Sequence, residues 1–220
     1  MRFHDRREAG QELAVRLMER AAGGDLVNPV VLALPRGGVP VAVPVAQALS
    51  APLDVLVARK IGLPGQPETG IGAIVGDDPP LFDGQALEML GLREDRLGPE
   101  VARERIELHR RALLYRGERN APDVGGRAAI IIDDGLATGV TARAALRHLR
   151  HQDPARLILA VPVCAPQTAD TMRSEADDIV CLHQPSDFRA VGQWYDNFDQ
   201  VSDDEVVNAL QERSASTPRS

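Results

Sequence analysis

The sequence predicts an α/β fold with a mostly parallel sheet flanked by helices. Three observations carry this. Short, wholly apolar runs recur at Val30–Leu34, Ala128–Ile132 and Leu157–Val163, as in strands buried on both faces. Segments with helical spacing separate them, the pattern that builds parallel sheets through crossover helices. The chain has 220 residues, 44% of them apolar, enough for a core and consistent with one domain of ordinary size.

In chain order, Asp5 to Ala22 is an amphipathic helix. Asp5 and Glu8 have capping-box spacing, Leu13, Leu17 and Met18 form the apolar stripe, and Gly23-Gly24 ends it. A strand at Val30–Leu34 leads through the turn Pro35-Arg36-Gly37-Gly38 into a helix from Val39 to Leu49. Leu53 to Ala58 is a second strand, Arg59 to Gly70 a Gly/Pro-rich loop, and Ile71 to Val75 a third strand. Helices follow near Gln85–Leu90 and Pro99–Tyr115. Ala128–Ile132 is a strand, Asp133–Gly139 a loop and Val140–His151 a helix. Leu157–Val163, Gln167–Glu175 and Ile179–Leu182 continue as strand, helix and strand. Residues 184–200 are irregular and aromatic, 201–213 hold a C-terminal helix, and 214–220 read as a flexible tail.

Composition narrows the function. A net charge of −7 argues against a general nucleic-acid binder, which needs a basic face. The charged N-terminus lacks a signal peptide's apolar stretch, and the longest uncharged run, Gly37 to Leu53, is broken by three prolines. A cytoplasmic protein without a membrane segment is expected. Cys164 and Cys181 match neither zinc spacing nor a disulfide framework and read as small core residues. His148 and His151 read as surface residues of a helix rather than metal ligands. There is no Gly-Lys-Ser/Thr phosphate loop and no Gly-X-Ser-X-Gly. A receiver domain would need a late lysine, and the one lysine is Lys60. The near-fingerprint Gly70-Ile71-Gly72-Ala73-Ile74-Val75-Gly76 has the wrong spacing and lies in a strand instead of opening a helix.

The informative segment is Ala129-Ile130-Ile131-Ile132-Asp133-Asp134-Gly135-Leu136-Ala137-Thr138-Gly139-Val140-Thr141. A buried strand ends in two carboxylates, where open α/β sheets bind ligands. Paired carboxylates accept hydrogen bonds from a vicinal diol and stabilise nearby cationic character. Thr-Gly-X-Thr then opens a helix, whose first N–H groups and dipole favour an anion. A diol site beside a phosphate site is what a ribose 5-phosphate requires.

This segment resembles the signature of the type I phosphoribosyltransferases: four apolar residues, two acids, three variable positions, then Thr-Gly-X-Thr. The resemblance covers most of residues 5–200, here a phosphoribosyltransferase-like domain within 1–200, with a small C-terminal hood at about 184–200. It implies transfer of ribosyl 5-phosphate from phosphoribosyl pyrophosphate (PRPP) to a nitrogenous base, with release of pyrophosphate. Asp133 and Asp134 would face the ribose; Ala137, Thr138, Gly139, Val140 and Thr141 would hold the 5-phosphate. Mg²⁺, the implied cofactor, would arrive with PRPP near Asp133 and Asp134, with no dedicated protein site.

Arg36, Gly37 and Gly38 resemble the family's pyrophosphate loop, with a cation in fork geometry beside exposed N–H groups. Arg59 and Lys60 open the segment where members carry a mobile lid, and would neutralise the leaving group. Four of the seven aromatics, Phe188, Trp194, Tyr195 and Phe198, fall in the hood, where Trp194 or Tyr195 would stack the acceptor base. Members acting on 6-oxopurines often carry Asp before the Thr-Gly pair. Ala137 stands there, as in adenine-type members, which weakens a hypoxanthine or guanine assignment without establishing adenine. The resemblance also implies a homodimer. A non-catalytic PRPP or nucleotide sensor with the same pocket is the alternative, and a hydrolytic enzyme a third reading.

Overall fold

A computed structural model describes residues 2–117 and 119–216. Its centre is a five-stranded, all-parallel sheet formed by β1 (Val30–Ala33), β2 (Leu53–Val55), β6 (Ala128–Ile132), β7 (Arg156–Val163) and β8 (Asp178–His183), in the order β2-β1-β6-β7-β8. A second, antiparallel sheet joins β3 (Ala58–Leu63), β4 (Gln66–Val75) and β5 (Leu81–Phe82). The expected α/β class and parallel sheet are present.

Strand periodicity splits the core in two. Val31, Ala33, Ile130, Ile132, Ile158 and Ala160 face one way, onto α1 (Arg6–Ala22), α2 (Gly38–Ala48) and α7 (Asp203–Ser216). Leu32, Ala129, Ile131, Leu157 and Leu159 face the other way, onto α5 (Val140–Arg150) and α6 (Pro166–Met172). Because both faces are covered, the central strands β1 and β6 are continuously apolar.

Helix α1 starts where its cap sits: Asp5 Oδ1 accepts from Glu8 N at 2.9 Å. Glu8 returns a carboxylate to the His4 N–H, one residue before the position a capping box uses. Helices α1 and α2 meet at Gly10, where a Cβ would overlap the Val41 carbonyl oxygen and lie 2.6 Å from Pro44 Cγ.

Several boundaries differ from expectation. The stretch Arg59–Gly70 is not a loop. It is the β3–β4 hairpin, turned at Pro64-Gly65, with Lys60 opposite Ala73 and Arg59 opposite Ile74. Its apolar residues Ile61 and Ile71 are buried, and backbone pairing along the hairpin overrides its glycines. Strand β2 ends at Val55 because the chain leaves the parallel sheet there to enter the hairpin. The decoy glycines Gly70 and Gly72 lie in β4 as expected, and Gly76 follows its end. Helices α3 (Gly84–Met89) and α4 (Gly98–Arg116) sit near their expected places, and α6 stops at Met172, short of Glu175. Helix α7 runs to Ser216, past the expected end at 213, and residues 217–220 of the expected tail lie outside the described residues. His148 is half-buried, not a surface residue, with Nδ1 2.8 Å from Asp78 Oδ2. Cys164 is buried and Cys181 partly so, both free.

Gly10→Ala should lower the melting temperature, although alanine is the better helix former. Overpacking against backbone costs about 1–3 kcal/mol, a loss of several degrees for a chain this size. Calorimetric unfolding checks it; a Tm equal to or above the parent's would show that the α1–α2 contact is not tight.

Candidate functional site

In the sheet order, β2 lies on one side of β1, while β6, β7 and β8 run away on the other. The chain therefore reverses direction between β1 and β6, the place beyond the strand ends where open α/β sheets bind ligands. Val30–Ala33 pairs in register with Ala129–Ile132, and Leu34 N donates to Ile132 O at 2.8 Å. This pairing sets the Pro35–Gly38 turn against the Asp133–Thr141 loop, two segments about a hundred residues apart.

The turn fits tightly. The Pro35–Arg36 peptide is cis. A Cβ on Gly37 would overlap the Asp134 carboxylate, and one on Gly38 would lie 2.5 Å from Ile132 O. Gly37 and Gly38 thus let the turn close over the end of β6. The Arg36 guanidinium, however, points at α7, where Nη1 lies 3.6 Å from Asp203 Oδ1.

Both acids are half-buried. Asp133 Oδ1 accepts from Asp134 N at 2.9 Å. Burial, then the adjacent Asp134 charge, pushes the Asp133 carboxyl well above the usual carboxylate range. Burial also raises Asp134, and Arg6 opposes it. Arg6 Nε donates to Asp134 Oδ2 at 2.9 Å, with the two side chains only 11% and 15% exposed.

The Ala137–Thr141 loop opens α5. Gly139 takes φ +70°, the left-handed conformation that favours glycine, and no side chain caps the helix. A Cβ there would lie 2.6 Å from Thr168 Cγ2. Thr168 Oγ1 donates to Ala137 O at 2.5 Å, which fixes the loop from below. Ala137 and Thr138 are exposed, Thr141 half-buried, and the first turn carries no acid. The arrangement is an uncapped helix start beside two carboxylates, and helix starts of this kind favour anions.

The hood is larger than the sequence suggested, because the N-terminus is part of it. Phe3 bridges Tyr195: Phe3 N donates to Trp194 O and Asp196 N to Phe3 O, each at 2.9 Å. Tyr195 is buried against Phe3 and Phe198, ring centroids 5.5 and 5.1 Å away, and its hydroxyl donates to Asp134 O at 2.6 Å. Burial pushes its phenol above the ordinary range. Tyr195 therefore packs the hood onto β6 rather than offering a free stacking face. Trp194 is half-buried, its Nε1 buried without a hydrogen-bond partner among the described residues.

The hairpin cations stand apart from the acids. Arg59 Nη2 and Nε donate to Glu104 Oε2 on α4 at 2.7 and 3.0 Å. Lys60 is exposed, its stem crossing Gly70, and it forms no ion pair with any described residue. Neither hydrogen-bonds Asp133 or Asp134. Sequence reasoning missed Arg6, Glu104 and Asp203, since nothing in an Arg-rich chain marks which arginine turns inward.

The raised Asp133 pKa has a stability consequence. A carboxyl raised in the folded state destabilises the fold above the unfolded pKa, near 3.9, where the unfolded chain ionises more readily. Asp133→Asn should therefore raise Tm at pH 7–8 by a few degrees, about 2–4 °C per kcal/mol. The gain should vanish as pH falls below about 4. A gain independent of pH in thermal scans would refute the buried-acid assignment.

Comparison with known proteins adds to this geometry. The profile of the Phosphoribosyl transferase domain family matches residues 6–199. Two Mycobacterium tuberculosis sequences, "Putative phosphoribosyl transferase MT0597" (strain CDC 1551 / Oshkosh) and "Putative phosphoribosyl transferase Rv0571c" (strain ATCC 25618 / H37Rv), are each 45% identical over 208 residues. The match takes in 94% of this chain and 46% of theirs, so the chain spans about half the length of these curated relatives. The crystal structure of TT1426 from Thermus thermophilus superposes with a TM-score of 0.78 at 41% identity, over 96% of this chain and 99% of that one. A strand-to-helix site at the switch point, matched by a profile spanning nearly all of the fold, establishes that the chain belongs to the phosphoribosyl transferase family.

Proposed function

We propose that the protein transfers ribosyl 5-phosphate from PRPP to a nitrogenous base, releasing pyrophosphate. The observation that carries this reading is the juxtaposition at the end of β6: two carboxylates directly precede an uncapped helix start with Gly139 at positive φ. The carboxylates suit the ribose diol, and the Ala137–Thr141 N–H groups and hydroxyls suit the 5-phosphate. Such displacements develop positive charge on the ribosyl carbon. Asp133 and Asp134 would stabilise that charge.

Mg²⁺ would travel with the donor near Asp133 and Asp134. Their oxygens suit a hard cation that keeps its own waters. When bound, the ion supplies charge neutralisation on the diphosphate. The Pro35–Gly38 turn would take the leaving group at the β1 end, and Lys60, exposed on the hairpin, would swing toward it. The hood, with Trp194, would cover the acceptor. The reading extends to a cytoplasmic homodimer. Among the described residues no helix is long and apolar enough to cross a membrane.

One observation favours the sensor alternative. Arg36 and Arg59, both expected at pyrophosphate, are paired with Asp203 and Glu104 instead. An enzyme would have to release at least one of them when the donor arrives.

Incubation with PRPP, Mg²⁺ and a panel of bases should release pyrophosphate with at least one base. Tight PRPP binding without turnover on any base would identify a sensor. The double substitution Asp133→Asn with Asp134→Asn should abolish PRPP-dependent behaviour in both assays, and survival of binding would remove the ribose assignment. Lys60→Gln should lower kcat by about 100–1,000-fold, as loss of one charge-stabilising donor does, while leaving PRPP binding within a few-fold. An unchanged kcat would exclude the hairpin from leaving-group chemistry.

A further inference from the structure

Arg6 is an arginine that no motif singles out, yet it holds the most enclosed ion pair of the site. It sits in the first turn of α1, just after the Asp5 cap. Its Nε donates to Asp134 Oδ2 at 2.9 Å and its Nη1 to the Asp199 carbonyl at 2.8 Å. Its guanidinium lies 3.8 Å from the Phe198 ring centroid, a cation–π contact. One planar group thus touches the acidic pair, the hood's backbone and the hood's aromatic face.

We propose that Arg6 is a positioning residue: it aims the Asp134 carboxylate and fastens it to the hood, so that the ribose site and its roof form one unit. The inference rests on the ribosyl-transfer reading for what Asp134 holds. A carboxylate offers about four lone-pair sites, and Arg6 takes one. The remainder stay available to a diol, so Arg6 orients Asp134 without filling its place. The other groups around Asp134 do not do this. Asp133 is a like charge, Tyr195 reaches only the backbone oxygen, and Arg36 on the adjoining turn is paired with Asp203. Guanidinium geometry matters because the carboxylate, the carbonyl and the ring are met by different parts of one rigid plane.

The test uses the full chain. PRPP with Mg²⁺ is titrated by calorimetry into the parent, Arg6→Gln, Arg6→Lys and, as a control on the same turn, the exposed Arg7→Gln. Arg6→Gln should weaken binding about tenfold or more with the stoichiometry unchanged, Arg6→Lys should recover part of the loss, and Arg7→Gln should match the parent. A merely structural role would lower the stoichiometry and leave Kd alone; that result, or an unchanged Kd in Arg6→Gln, overturns the proposal. A thermal cycle of Arg6→Gln, Asp134→Asn and the double variant needs no ligand. The double variant should melt no lower than the worse single one. If the parent binds no PRPP, the ribosyl-transfer reading falls and this cycle decides Arg6 alone: non-additive losses uphold the latch, and additive losses overturn it.

Discussion

Parallel pairing of β1 with β6 is the constraint on which the rest depends. Four residues of each strand lock in register, and the chain then turns away in opposite directions on the two sides. Both strands are buried on both faces, so neither can slip by one residue without exchanging its two apolar sets between covering layers. The consequence is close packing of the Pro35–Gly38 turn against the end of β6, where Asp133 and Asp134 follow the strand. Glycines are required in the turn because the Ile132 carbonyl and the Asp134 carboxylate come so close.

Putting two carboxylates at the end of a buried strand is electrostatically costly, and the surroundings answer that cost unevenly. Asp133 receives a backbone N–H and little else. Asp134 receives Arg6, and the hood is built around that pair: Phe3, Tyr195 and Phe198 pack together, Tyr195 bonds the Asp134 carbonyl, and the arginine lies over Phe198. Removing one member of such an enclosed pair typically costs about 3–5 kcal/mol. The N-terminal segment is therefore part of the site.

Elsewhere the arginines serve the fold. Arg116 bridges α4 to Asp54, its Nε 3.0 Å from Oδ2 at the β2 edge, and Arg59 ties the hairpin base to Glu104. Both acids are buried, so each arginine satisfies a charge that could not otherwise remain inside. Tyr115 donates to Asp203 at 2.5 Å and with Arg36 anchors α7 beside the turn. The hydrogen bond from Tyr115 is the main reason the Asp203 carboxyl sits below its ordinary range. Lys60 is left exposed at the hairpin, on a stem long enough to move.

The sequence by itself determined the α/β class, the buried strands, and the strand–loop–helix of residues 128–150. All are local: wholly apolar runs, a helix-opening glycine and two adjacent acids are visible in a short window. The hairpin was hidden because Gly and Pro dominate its turn, while its strand character comes from pairing across the turn and from burying Ile61 and Ile71. Only the tertiary structure could bring the Arg36 turn to the acids, since that depends on which strands become neighbours. The choice of Arg6 among 24 arginines was likewise tertiary. A guanidinium's role depends on the carboxylate it meets, and Asp134 lies 128 residues away.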